Sequence, residues 1–167
     1  MEQHIHQLKA VSSLDQVKIK SVLCEKRHEN LVLNSKDMSQ LQEIVTILEP
    51  FAEATDMTQG DKTVTISCVV PILLSLNKHL QCRLSSASTV TSFVKTLQQS
   101  LLARFSKLFS VLGIDSPGEA NRTNSLSFDS SIFLIAPALD PAYAFNWLDD
   151  HPGGPGEKEA LRFKITG

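Results

Sequence analysis

Cys24 and His28 stand four residues apart, a spacing that puts a thiol and an imidazole on one face of a helix, and His4 and His6 lie upstream. A structural zinc needs four ligands, usually in two close pairs. Cys68 and Cys82 are fourteen residues apart and bring no close second pair, so no zinc site is expected. Cys24 beside Lys26 and Arg27 has a setting that favours a thiolate, but no base arrangement accompanies it. Ser, His and Asp all occur, yet no G-x-S-x-G elbow frames them. No G-x-x-x-x-G-K-[ST] or G-x-G-x-x-G motif is present to bind a nucleotide. Asp140 followed by Pro141 reads as a helix cap rather than as a nucleophile or base. No catalytic residue, cofactor site or metal ligand is therefore assigned. Lys18, Lys20, Lys26, Arg27 and His28, with Lys95, Arg104 and Lys107, are the cations available for nucleic acid, and most such charges only solvate a helix face. Tyr143 and Trp147 could stack on bases, but core or interface aromatics are the simpler reading.

The elements that would carry these residues are helical. The chain has 167 residues, 42% of them hydrophobic and 20% charged, with a formal net charge of −2. That is enough apolar content for a core and too little positive charge for a nucleic-acid surface over the whole domain. No run of about 20 apolar residues exists to cross a membrane. The N-terminus lacks a secretory apolar core, and three sparse cysteines then suit a reducing compartment.

Four longer helices are expected near residues 14–28, 36–58, 66–84 and 89–112. Ser13 to Gln16 has the form of a capping box for the first. Asn34 or Ser35 suits the cap of the second, whose stripe is Leu41, Ile44, Val45, Leu48, Phe51, Ala52 and Thr55. Pro50 inside that stripe predicts a kink near residues 46–50. Thr63 or Thr65 begins the third, with Ile66, Val69, Val70, Leu73, Leu76 or Asn77, Leu80 and Leu84 as its stripe. Ser88 caps the fourth, the longest periodic run, and Gly113 supplies its left-handed end. Short links between such helices imply antiparallel neighbours. The stretch from Ile114 to Ser130 reads as a surface loop, Pro141 to Leu148 as a short helix, and His151 to Gly156 as a linker. The tail after it is expected to find no packing partner, as though the chain stopped mid-domain.

Two stretches carry a family resemblance. Leu41, Ile44, Ile47, Leu48, Pro50, Phe51 and Thr55 meet the pattern L-x-x-I-x-x-I-L-x-P-F-x-x-x-T. Thr65, Ile66, Ser67, Val69, Pro71, Leu76 and Leu80 follow P-T-I-S-x-V-x-P-x-I-x-x-L-x-x-x-L, with Val64 in place of its first proline. Ala136, Leu139, Asp140, Pro141 and Tyr143 follow A-x-x-L-D-P-R-[YF]-K, with Ala142 and Ala144 in place of its two cations. Together these blocks, over roughly residues 36 to 148, resemble the helical region of hAT-family transposases and their domesticated descendants, such as nuclear zinc-finger proteins with a C-terminal hAT-like part.

The resemblance implies an all-α fold of long antiparallel amphipathic helices, like the insertion within the RNase H-like hAT core. Residues 1–148 would be this region and 149–167 a Gly/Pro linker with the start of a further element. It also implies that the metal-binding acids lie in flanking strands and a following helix, outside the matched blocks. Glu157 and Glu159 match no motif as the third acid and read as solvated charges at a helix start. The function implied is a catalytically inert interaction or scaffold module of a nuclear, DNA-binding transcription or chromatin regulator. The alternative is a fragment of an active transposase. DNA would be held by other parts of the parent protein and weakly or not at all by this segment. Two missing cations at Ala142 and Ala144 weaken any phosphate contact there.

The breadth of the apolar faces predicts one more feature. Leu73, Leu74 and Leu76, and likewise Leu101 and Leu102, cannot all point one way on a helix. An exposed apolar surface joining these helices to Ile132–Leu148, with Phe133, Tyr143 and Trp147 near its edge, is therefore expected to meet a protein partner or the rest of the parent chain.

Overall fold

The computed structural model describes residues 2–28, 31–59, 66–86, 89–115 and 131–166. Every regular element among them is helical: α1 (Glu2–Ser12), α2 (Gln16–Glu25), α3 (Ser35–Thr58), α4 (Ile66–Ser85), α5 (Thr91–Arg104), α6 (Ser106–Val111), α7 (Ile132–Leu139), a 3₁₀ segment (Asn146–Asp150) and α8 (Pro155–Thr166). The all-α expectation is met. None of these helices is long and apolar enough to cross a membrane. The chain divides into two compact units, Met1–Glu53 and Ala54–Gly167.

In the first unit, residues 2–12 form a helix that the sequence reading left unassigned. Its Ser13 is not a cap for α2. The Ser13 hydroxyl donates to the Ala10 carbonyl, while Asp15 caps α2 by accepting from the Val17 amide at 2.9 Å. A carboxylate two residues downstream outcompetes the hydroxyl because it can reach the first free amides of the helix and carries charge toward its positive end. Asn34 caps α3 as expected. Its side-chain oxygen accepts from the Asp37 amide and the Asp37 carboxylate accepts from the Asn34 amide, both at 2.9 Å. This reciprocal pair satisfies two amides that a helix start leaves without intrahelical partners. Helix α3 continues through Pro50. Lys9 of α1 meets Glu49 of α3 at 2.6 Å, an exposed pair of small energetic weight.

The second unit is built around α4, which packs on α5, on α7 and on the 3₁₀ segment. An apolar residue on nearly every side of α4 is what allows this. Cys68, Val70, Leu73, Leu74, Leu76 and Leu80 are all buried. The expected fourth helix is divided at Phe105, whose backbone (φ −112°, ψ 28°) departs from helical values. The Phe105 amide still bonds to Leu101 and the Phe105 carbonyl accepts from Phe109, so the backbone ladder crosses the break. Leu108, Phe109 and Leu112 beyond it are buried. Gly113 adopts φ +73°, and the Ile114 amide reaches back to the Phe109 carbonyl at 2.8 Å. That is the glycine-dependent helix stop expected there.

The short helix expected over Pro141–Leu148 does not form as such. The chain makes one turn, closed by bonds from the Tyr143 and Ala144 amides to the Asp140 carbonyl. Ala144 then enters the left-handed region (φ +45°) and a 3₁₀ segment follows. The physical gain is a partner for a buried indole. The Ala144 carbonyl, released from a helical ladder, accepts from Trp147 Nε1 at 2.9 Å. The tail also departs from expectation: α8 packs on α7 and buries Leu161.

The cap assignments at Thr63, Thr65 and Ser88, and the loop reading of residues 116–130, lie outside the described residues.

Candidate functional site

Ser67 and Asp140 meet in the second unit. The Ser67 hydroxyl, nearly fully buried near the start of α4, donates to Asp140 Oδ2 at 2.6 Å. Asp140 closes the C-terminal end of α7, and its Oδ1 accepts from the Ala142 amide at 2.9 Å. Pro141 between them has no amide to offer, so the carboxylate reaches the next one along. The Ser67 hydroxyl and the Ala142 amide both favour the ionised form, and they hold the Asp140 carboxyl below its ordinary range.

Cys68 and Tyr143 flank this pair. Burial pushes the Cys68 thiol up, and the nearby Asp140 charge adds to the same direction. Burial also raises the Tyr143 hydroxyl, with Cys68 and Asp140 adding to it. Both groups are therefore held in their neutral forms, the opposite of what an activated nucleophile requires. Asp140, bonded to a serine hydroxyl and a turn amide, is placed as a structural acceptor.

The other residues weighed for chemistry do not converge. Helix α2 ends at Glu25 and Arg27 adopts φ +57°, so Cys24 and His28 do not share a helix face. Cys24 and Cys82 are exposed and Cys68 is buried, and none of the three forms a disulfide among the described residues. Among the described residues no group of three or more His, Cys, Asp or Glu side chains is placed to hold a metal ion. Glu157 instead accepts from the Gly154 amide at 3.0 Å, capping α8 from inside its first turn. Glu159 is exposed.

The cations Lys18, Lys20, Lys26 and Arg27 are exposed, as are Lys95, Arg104 and Lys107. Trp147 is buried and closed to stacking on a base, and Tyr143 is half-buried.

The broad apolar surface expected over the central helices is largely closed. Leu73, Leu74, Leu76, Leu101, Leu102 and Trp147 are buried, and Phe133 is half-buried. The reason is that α4 has neighbours on several sides, so apolar residues pointing in different directions are all covered within the second unit. What stays open is narrower: Ile132, Ile135 and Leu139 (77% exposed) along α7, Phe163 (68% exposed) on α8, and Phe93 on α5.

Several structural polar groups escaped the sequence reading. His151, read as part of a linker, is buried. Its Nδ1 accepts from the Gly153 amide at 3.0 Å, which leaves Nε2–H to donate to the Leu112 carbonyl at 2.7 Å. The ring thus joins the stop after α6 to the start of α8. Lys78 of α4 bonds Asp150 at 2.6 Å, and this raises the amine above its usual range. Gln98 of α5 donates to the buried Asn77 of α4 at 3.1 Å. Arg162 lies over the Phe145 ring, 5.5 Å from its centre. No local pattern in the sequence signals these pairs, because each partner is distant along the chain or sits in a Gly/Pro-rich stretch.

Compared with known protein families, curated proteins and solved structures, the chain matches none.

Proposed function

We propose that this chain is a catalytically inert interaction and scaffold module, derived from a hAT-type transposase and belonging to a nuclear, DNA-binding transcription or chromatin regulator. The observation that carries the reading is the Ser67–Asp140 bond. It joins the T-I-S block to the L-D-P block, two of the three blocks on which the resemblance rests. It also gives the aspartate of the second of these a structural task. Glu157, which lies outside the matched blocks, is engaged at a helix start. A module of this kind presents surfaces rather than reacting groups, and DNA contact is left to other parts of the parent protein.

Fusing the chain to an unrelated DNA-binding domain, with a reporter promoter beside its site in nuclei, tests the proposal. A reporter output different from that of the DNA-binding domain alone is expected, and an identical output overturns the regulatory role. Incubation of the purified chain with duplex DNA and Mg²⁺ tests the inert part. No cleavage or strand transfer is expected. Mg²⁺-dependent cleavage that disappears in Glu157→Gln or Glu159→Gln would establish the alternative, a working transposase fragment.

A further inference from the structure

We draw no further inference here: the strongest candidate, the outward apolar stripe of α7 formed by Ile132, Ile135 and Leu139, carries none because nothing in the structure shows what covers it.

Discussion

The hydroxyl of Ser67 donates to the carboxylate of Asp140 across 73 residues of chain, at 2.6 Å, and so fastens the start of α4 to the end of α7. Asp140→Asn keeps the size of the side chain but removes its charge, and Asp140→Ala removes both acceptors. Thermal unfolding should show a lower midpoint for both, with the alanine variant lower. Equal midpoints for Asp140→Ala and the parent chain would show that the bond does not stabilise the fold.

The same carboxylate gives a pH dependence with a definite sign. Its folded form titrates below the ordinary value of 3.8, so its contribution to stability is complete above that value. The contribution is lost as pH falls from there through the lowered value. Urea unfolding followed between neutral pH and the acid limit should therefore be less acid-sensitive in Asp140→Asn than in the parent chain. Parallel curves for the two would contradict this.

Around His151 space is short. A Cβ at Gly153 would stand 2.9 Å from the imidazole and would collide with the Glu157 carboxylate. Gly153→Ala should destabilise by about 1–3 kcal/mol, the usual range for overpacking. His151→Ala leaves the Leu112 carbonyl without its donor and should cost a similar amount, about 1–3 kcal/mol. Chemical denaturation of both variants measures this, and unchanged midpoints would mean the segment is loosely held.

Ala144 is an L-residue in the left-handed region, at φ +45°. Ala144→Gly relieves a strain of about 1–2 kcal/mol, set against an entropic cost of about 0.5–1 kcal/mol. The expected outcome is equal or slightly higher stability, whereas Ala144→Val should lose stability. A clear loss in the glycine variant would mean that the turn does not hold this backbone in solution.

Thiol titration separates buried from open cysteines. Cys24 and Cys82 should react promptly with an aromatic disulfide in the native chain, and Cys68 only after unfolding. In the core, Leu74→Ala should cost about 2–5 kcal/mol, while Leu139→Ala on the open side of α7 should change stability by no more than about 0.5 kcal/mol. Three fast thiols, or equal effects of the two leucine changes, would contradict the packing around α4.

Much of the local structure is written in the sequence, because its causes are local. The apolar spacing from Leu41 to Leu112 determines helices, Asn34 determines where α3 begins, and Gly113 marks the stop after α6 through its freedom to adopt positive φ. The Asp140–Pro141 pair reads locally as a helix start, yet the chain makes only a single turn there. Which residues those elements bring together is another matter. Leu74 and Leu102 looked like surplus apolar residues, and only the placement of α5, α7 and the 3₁₀ segment around α4 turns them into core. The left-handed Ala144, the Trp147 bond that accompanies it, and the burial of His151 in a Gly/Pro-rich stretch all follow from partners that arrive by folding. Ser67 and Asp140 were each visible as members of a motif. That one would hold the other was decided by the tertiary structure, because a hydrogen bond depends on distance in space and the sequence specifies distance only along the chain.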